Sequence, residues 1–261
     1  KAGGGEAAAS RRPRGSSAAT PGPSAMPAAP IARRAGSTGS PRRGDGTEEG
    51  DRTMTLPDDA SWIEDEAALR ALHHAPMSRA TDKVLTALDR HCEAILAASP
   101  FCVIATVGPG GADVSPRGDA PGFLRVLDPR TLLLPDRVGN NRLDGMANLL
   151  ADPRVGLLVM VPGMDETLRI NGTARVTDDP RLLEPSAMQG RAPRVGIVIT
   201  VEEAFLHCGK ALVRSKLWDP EARVDRKAFP SYPAMLRDHV AGLTDAENER
   251  QSRVMAERGL W

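Results

Sequence analysis

The fold of this chain is decided by residues 101–123, FCVIATVGPGGADVSPRGDAPGF. The run FCVIATV is apolar and β-prone, GPGG is typical of a turn, and ADVSP is extended again, which together predict an antiparallel hairpin. GPGG lacks the spacing of a phosphate-binding loop and precedes no helix, so we assign it no phosphate role. The glycines and prolines around Arg117 predict a strand broken at the rim of a sheet, where backbone can approach a ligand.

Further apolar runs of strand length follow this hairpin. The run at 167–177 alternates apolar and polar residues, which is typical of a strand with one buried and one polar face. Turn signals recur about every eight to twelve residues, and this spacing favours a small antiparallel barrel over a parallel sheet. The predicted strands are RTLLLP (130–135), VGLLVMV (155–161), TLRINGTARVT (167–177) and VGIVITV (195–201).

Helical signals flank and interrupt these strands. Ser61 and Glu64 have the spacing of a capping box, and Pro100 ends the helical periodicity that precedes the hairpin. Asn140 or Asn141 can cap a helix inside the strand region. The predicted helices are 61–72, a longer one from Ser78 or Thr81 to 99, one within 139–153, a short one from Asp179-Pro180 to about Gln189, one near 233–242 and a last one opened by Thr244 and Glu247.

Charge and cysteine content limit the classes of function. The chain carries 34 acidic and 34 basic side chains, so its net charge is zero and gives no general case for nucleic-acid binding. Cys92, Cys102 and Cys208 form no CxxC pair and predict buried, reduced thiols in a cytoplasmic protein. The apolar runs are far too short to span a membrane. Because adjacent residues on a helix point apart, the pair His73-His74 makes no chelate, and we predict no metal site.

Residues 1–53 differ in kind from the rest. They are rich in Ala, Gly, Pro, Ser and Arg, with one Ile and no Leu or Val. Such a segment cannot bury enough apolar surface to offset its ordering entropy, so we expect a disordered tail. Its Arg and Ser content also fits a transit peptide, but it lacks an amphipathic period and its acidic residues gather at 45–51. We favour Met54 as the natural start, and we expect residues 54–261 to form a single domain.

Local arginines, rather than net charge, are the candidates for anion binding. Arg117 lies in the broken stretch, and Arg142 lies at the start of the helix predicted within 139–153. A helix N-terminus beside an arginine suits phosphate, because free N–H groups and the guanidinium fork both bind its oxygens. For each residue alone, a surface ion pair is the competing interpretation. Further candidates are Arg169 and Arg175 on the polar face of 167–177, and Lys210, Arg214 and Lys216 beside Trp218.

The order of these segments resembles that of the pyridoxamine 5'-phosphate oxidase-like flavoproteins, which have an FMN-binding split β-barrel with flanking helices. The resemblance covers residues of about 62–240 and rests on ATVGPGGADVSPRGD, TLLLPDR, GNNRLDGMANLLADPRVGLL, ETLRINGTARV and KALVRSKLWDP, in that order. It implies an α+β, mainly antiparallel fold. The oxidase proper carries Ser-Arg-Lys where this chain has Asn141-Arg142-Leu143, so the fold and the flavin carry over better than the vitamin substrate.

The resemblance also implies a set of cofactor-binding residues. Those in the hairpin and at the start of the following helix correspond to contacts with the FMN phosphate. Those after the last strand would lie near the flavin at the rim of the substrate side, and they echo the Trp and Arg of the oxidase proper only loosely. The implied residues are Ser115, Arg117, Asn141, Arg142, Lys210, Arg214 and Trp218.

The function implied is that of an FMN-dependent oxidoreductase, which passes a hydride through flavin N5 to or from a small-molecule substrate. A homodimer is also implied, because the family places its flavin between two subunits. No residue is assigned a catalytic role. One alternative is a non-catalytic protein on the same fold that binds a flavin, a deazaflavin or haem, with His207 as the best-placed axial ligand. Another is an interaction domain with all its arginines on the surface.

Overall fold

The computed structural model describes residues 56–259. The chain divides into two units, residues 1–62 and residues 63–261. The described part of the first unit, 56–62, contains no helix or strand. The tail predicted at 1–53 and the start predicted at Met54 lie outside the described residues. All elements named below belong to the second unit.

The second unit is built on seven antiparallel strands in one sheet. The strands are β1 (Phe101–Gly108), β2 (Gly111–Gly118), β3 (Arg125–Asp128), β4 (Thr131–Pro135), β5 (Arg154–Met160), β6 (Thr167–Thr177) and β7 (Gly196–His207). Their order across the sheet is β2-β1-β5-β6-β7-β4-β3. Within the described residues β2 and β3 are therefore free edges, and the sheet is open. This is the antiparallel, mainly β class of the split barrel that the sequence predicts.

Helices flank the sheet and follow it. They are α1 (Glu66–Ala71), α2 (Ser78–Thr81), α3 (Arg90–Ala98), α4 (Asp144–Ala151), α5 (Pro180–Leu183), α6 (Lys210–Ser215), α7 (Tyr232–His239) and α8 (Asp245–Arg258). Short 3-10 helices lie at Glu184–Ser186, Pro220–Ala222 and Arg226–Ala228. No helix within residues 56–259 combines the length and the apolar character that crossing a membrane requires.

One cluster of buried apolar side chains joins the sheet to α3 and α4. The alternation predicted for β6 is confirmed, since Leu168, Ile170 and Ala174 are at most 1% exposed. Leu96 of α3 is fully buried against this cluster. Each buried leucine or isoleucine of this kind contributes roughly 1.5–3 kcal/mol relative to an exposed one. The sheet and these two helices therefore form a firm base for the loops at the rim.

Helix starts near the N-terminus differ from those predicted. α1 begins at Glu66, and Asp65 rather than Ser61 caps it by accepting a hydrogen bond from the Ala68 N–H at 2.7 Å. The carboxylate of Asp65 takes the cap because it reaches the first turn directly. The cap predicted for the last helix is confirmed, since Thr244 accepts from the N–H of Glu247 at 3.3 Å.

The long helix predicted from Ser78 or Thr81 to 99 is wrong, because the chain forms two helices, α2 and α3. Between them, Leu85 and Ala204 of β7 exchange backbone hydrogen bonds of 2.9 and 2.8 Å. Asp89 then caps α3 by accepting from two first-turn N–H groups. A partner on the last strand of the sheet, distant in sequence, thus overrides the local helical periodicity.

Candidate functional site

The β1–β2 hairpin places three polar side chains of the edge strand on one face. Asp113, Ser115 and Arg117 alternate along β2, and each is half-buried. In the register of the hairpin, Arg117 lies opposite Cys102 and Asp113 lies opposite Thr106, and both of these β1 residues are buried. Because side chains alternate between the faces of a strand, all three polar groups point to the buried side of the hairpin.

The start of α4 is shaped by an unusual backbone rather than by a capping side chain. Asn141 and Leu143 have φ values of 58° and 60°, in the left-handed region that few non-glycine residues adopt. The predicted caps are therefore wrong: Leu143 is the N-cap, and no side chain caps the helix. Asn140 instead accepts from the N–H of Arg142 at 3.0 Å, in a turn before the helix. The first N–H groups of α4 thus have no side-chain partner.

The uncapped start of α4 lies against the polar face of β2. A Cβ added at Gly145, in the first turn, would lie 3.6 Å from Asp113 Oδ2 and 3.9 Å from Arg117 Nη2. Beside this contact lies a cavity of about 570 Å³, which we name the Arg117 cleft. Its lining residues are Asp113, Ser115, Pro116, Arg117, Gly139, Asn140, Arg142, Asp144 and Gly145.

Glycine is also required where α4 packs on β1. A Cβ at Gly108 would lie 1.9 Å from Asn148 Oδ1 of α4, an overlap that the asparagine could relieve only by moving. Asn148 is held in place because its Nδ2 donates to Thr106 Oγ1 at 3.1 Å. The bare backbone of Gly108 thus lets α4 lie close enough to β1 to form the cleft.

Arg117 is the half-buried cation of this cleft. Its only hydrogen bond to a described residue is a weak donation to the carbonyl of Pro116 at 3.3 Å, and it forms no ion pair with residues 56–259. Burial raises the pKa of the Asp136 carboxyl, and the nearby Arg117 and Arg137 oppose that rise. Burial also raises the pKa of the Cys102 thiol to about 12, against the opposing effect of Arg117. Most of the donor groups of Arg117 are therefore open to a ligand.

Arg142 lines the same cleft but, unlike Arg117, is exposed and ion-paired. Its side chain is 74% exposed, and its guanidinium is bonded to Asp144 at 2.7 Å. An exposed ion pair of this kind contributes little to stability, so Asp144 competes only weakly with a stronger anion. The structure thus brings together the predicted pair Arg117 and Arg142, with Arg117 the more desolvated of the two.

Ser115 supplies an unusual observation. Its Oγ atom is buried and has no hydrogen-bond partner among the described residues. Because almost all buried polar atoms in native proteins are paired, an unpaired hydroxyl on the wall of a cleft indicates a ligand group. An anion is the group that fits, since the same cleft presents the donors of Arg117 and the uncapped start of α4.

Asn141 does not share this cleft. It lines a neighbouring cavity of about 660 Å³, which we name the Arg194 cleft. The backbone turn at Asn141 and Leu143 separates the two sides of the loop. The residues that line the Arg194 cleft are Asp136, Arg137, Val138, Asn141, Arg191, Ala192, Pro193 and Arg194.

Lys210, Arg214 and Trp218 lie away from the Arg117 cleft and line none of the described cavities. They follow β7, and the strands β1, β5 and β6 lie between β7 and β2 in the sheet. Lys210 and Arg214 are exposed, whereas Trp218 is half-buried and donates its Nε1–H to the carbonyl of Met164 at 2.9 Å. Within one chain, these three predicted residues do not converge with Arg117.

The remaining candidates have other environments. Arg169 lies over the ring of Phe205 at 5.1 Å, and the two residues are cross-strand partners, so its position has a structural explanation. Arg175 is exposed on β6. His207, the candidate haem ligand, is the exposed last residue of β7. Sequence reasoning missed Asp113 and Gly145; only the alternation along β2 could have indicated the first.

Comparison with known proteins finds one family model that covers the segment containing this site. Residues 88–208 match the family model described as pyridoxamine 5'-phosphate oxidase, and that segment contains all seven strands and α4. The match supports the resemblance to the pyridoxamine 5'-phosphate oxidase-like family that the order of segments indicates. No curated protein matches the sequence.

Solved structures with a similar arrangement are distant. HupZ of Group A Streptococcus is 14% identical, with a TM-score of 0.39, over 46% of this chain and 93% of that one. A Clostridium acetobutylicum protein related to general stress protein 26 of B. subtilis, of the pyridoxinephosphate oxidase family, is 13% identical, with a TM-score of 0.36, over 45% and 86%. The FAD binding protein of Mycobacterium smegmatis is 15% identical, with a TM-score of 0.33, over 47% and 97%.

Proposed function

We propose that this protein is an FMN-dependent oxidoreductase that binds the phosphate of FMN in the Arg117 cleft. The observation that carries the proposal is the pairing of a half-buried arginine with a buried hydroxyl: within residues 56–259 Arg117 forms no ion pair and the Oγ of Ser115 has no hydrogen-bond partner. A dianionic phosphate is the simplest ligand that satisfies both groups at once. The similarity of residues 88–208 to a family named for an oxidase of a phosphate ester supports the same conclusion.

Each group has a defined part in holding the phosphate. Arg117 offers a planar fork that can donate two parallel hydrogen bonds to phosphate oxygens. Ser115 donates one more through its hydroxyl, and the uncapped N–H groups of α4 add the positive end of the helix dipole. Arg142 lies at the exposed rim, where it exchanges Asp144 for the ligand.

A bound FMN supplies the ring whose N5 accepts or donates a hydride. The part of the protein is to bind and orient that ring and to shape the space where the substrate lies. Asp113 and Asp144 are the carboxyl groups that line the Arg117 cleft, and neither is assigned a proton-transfer role. The substrate is proposed only as a small molecule.

We further propose that the active form is a homodimer. Lys210, Arg214 and Trp218 lie outside the Arg117 cleft of their own chain, and the family resemblance assigns them to the flavin. Both statements hold together if a partner subunit carries these residues to the site. Exposed apolar side chains on β2 and α4, Val114 at 64% and Leu150 at 80%, are suited to such a contact.

The test starts from the absorption spectrum of the purified protein, because flavin, deazaflavin and haem absorb at different wavelengths. FMN and riboflavin are then titrated against the same sample. We expect FMN to bind more tightly than riboflavin, which lacks the phosphate. Oxidation of NAD(P)H by the FMN-loaded protein would distinguish an oxidoreductase from a carrier. Equal affinity for FMN and riboflavin would contradict the proposed phosphate site.

A further inference from the structure

A second, smaller cavity lies beside the Arg117 cleft without being part of it. Its volume is about 210 Å³, and we name it the Arg125 cavity. The residues of its wall that bear on its chemistry are Asp119, Arg125, Arg137 and Ser186. Asp119 is two residues beyond Arg117, a separation of about 7 Å along an extended chain. The cavity is therefore close to the proposed phosphate site but formed by different side chains.

The charges that line the Arg125 cavity do not balance. Arg137 is paired with Asp119, whose side chain is only 1% exposed. Arg125 is half-buried at the start of β3 and has no ion pair or side-chain hydrogen bond with any residue in 56–259. Within the lining of the cavity two guanidinium groups thus face one carboxylate, and the half-buried charge of Arg125 has no ion-pair partner in residues 56–259. Such a charge is costly unless an anion joins it.

Ser186 provides a second, independent observation. Ser186 lines the Arg125 cavity and is only 7% exposed, and its Oγ is buried with no hydrogen-bond partner among the described residues. The short 3-10 helix Glu184–Ser186 fixes it there. A hydroxyl beside an uncompensated guanidinium is the donor set that an oxyanion needs.

Arg137 also connects this cavity to a larger space, because it lines both the Arg125 cavity and the Arg194 cleft. The Arg125 cavity, of about 210 Å³, has room for a terminal group. The Arg194 cleft, of about 660 Å³, is in the size range of small-molecule sites. A molecule that lies in the cleft can therefore place an anionic end past Arg137.

We propose that the Arg125 cavity is an anion subsite that receives a phosphate or carboxylate group of the substrate, with Arg125 and Ser186 as its ligands. The word substrate rests on the proposed flavin function, whereas binding of the anion does not. The proposal narrows the substrate class to small organic anions. Arg125 and Ser186 are specificity residues in this proposal, and neither takes part in the electron transfer.

The test uses the full chain saturated with FMN, so that the Arg117 cleft is filled, and calorimetric titration with inorganic phosphate and, separately, acetate. We expect one of the two anions to bind, and its identity shows whether the subsite takes a phosphate or a carboxylate group. Arg125→Gln should weaken that binding by about tenfold or more, the usual effect of losing a hydrogen bond to a charged group. The matched control is Arg130→Gln, an exposed arginine on the same hairpin, which should change nothing.

Ser186→Ala keeps the proposal testable if Arg125→Gln does not fold. We expect weaker anion binding without a loss of thermal stability, because the substitution removes an unpaired buried hydroxyl. A purely structural serine would instead lower the melting temperature and leave anion binding unchanged. The proposal is overturned if neither anion binds the FMN-saturated protein, or if both variants bind it as the wild type does. FMN affinity is measured on the same variants: if FMN fails to bind while Arg125→Gln still abolishes anion binding, the flavin function is wrong and the subsite stands.

Discussion

The Arg117 cleft and the closing segment, residues 209–218, carry similar side chains in opposite circumstances. Arg117 is half-buried and forms no ion pair with a described residue, and the buried hydroxyl of Ser115 has no hydrogen-bond partner there either. Arg214 in the closing segment is exposed to solvent, and Trp218 already has a partner for its N–H. The comparison teaches that a cationic residue indicates a ligand when burial leaves it unsatisfied. Residue type alone does not separate the two regions.

Loss of Arg117 should give the largest effect. Arg117→Ala should weaken FMN binding by about 1.5–3 kcal/mol, because hydrogen bonds to a charged group in a partly desolvated site are lost. Arg142→Ala should cost less, since that side chain is exposed and already shares its guanidinium with Asp144. Fluorescence titration with FMN measures both changes.

Riboflavin is the control for this comparison, because it carries the ring without the phosphate. Wild type and Arg117→Ala should bind riboflavin alike. Arg214→Ala tests the other region in the same assay. The proposed homodimer predicts that Arg214→Ala also weakens FMN binding, because the partner subunit would bring Arg214 to the flavin. An unchanged FMN affinity in Arg214→Ala would contradict that shared site and keep the two regions distinct.

Much of the fold could be predicted because its signals are local. The hairpin of residues 101–118 and the alternation along β6 both depend on residues that are close together in the sequence. The structure confirms both. β3 was missed because its four residues contain too little pattern. The break between α2 and α3 depends on Ala204, which local periodicity cannot reveal.

In the candidate site, too, some features could be predicted from local sequence and others could not. Arg117 and Arg142 could be singled out from glycine, proline and asparagine around them, and the structure places both in one cleft. The left-handed backbone at Leu143 could not be predicted, because leucine rarely adopts it, and it removed Asn140 and Asn141 as caps. Arg125 and Ser186 carry no local signal, since their cavity exists only after β3 meets the loop before β7.

Ser115 and Ser99 extend the comparison, because the buried hydroxyl of Ser115 has no hydrogen-bond partner among the described residues and that of Ser99 has partners. Ser115→Ala should weaken FMN binding by about 0.5–1.5 kcal/mol and leave the stability of the ligand-free protein unchanged or slightly higher. Ser99 is fully buried, and its Oγ lies 2.8 Å from the carbonyl of Phe101 and 2.7 Å from that of Met160. Ser99→Ala should lower stability by about 1–3 kcal/mol and spare FMN affinity. Chemical denaturation and FMN titration of both variants give the result, and the same pattern in both would contradict the assignment of Ser115.

Trp218→Phe tests whether the closing segment contributes to the stability of the fold. The change removes the hydrogen bond to the Met164 carbonyl and keeps most of the apolar contact, so we expect a loss of about 0.5–1.5 kcal/mol in the free energy of unfolding. FMN affinity should be unchanged in a monomer. If light scattering gives a dimer and Trp218→Phe also weakens FMN, the partner subunit brings Trp218 to the flavin.

Substitution of Asp136 gives the smallest expected change in stability, and the size of that change depends on pH. Burial raises the pKa of its carboxyl above the ordinary value of 3.8, although Arg117 and Arg137 oppose the rise. The folded state therefore binds this proton more tightly than the unfolded state does. The associated stability is fully present below pH 3.8 and is lost as the pH rises through the folded pKa. Asp136→Asn, which stays neutral, should consequently match the wild type in acid and be the more stable protein at pH 7.

Denaturation of both proteins across this pH range tests the sign. Asp119→Asn is the matched control, because Asp119 is buried in an ion pair with Arg137, and its neutralisation should destabilise the protein at pH 7. If Asp136→Asn is also less stable than the wild type at pH 7, attraction to Arg117 outweighs burial. Arg117 would then be a compensated cation, and the contrast between the Arg117 cleft and the closing segment would lose its physical basis.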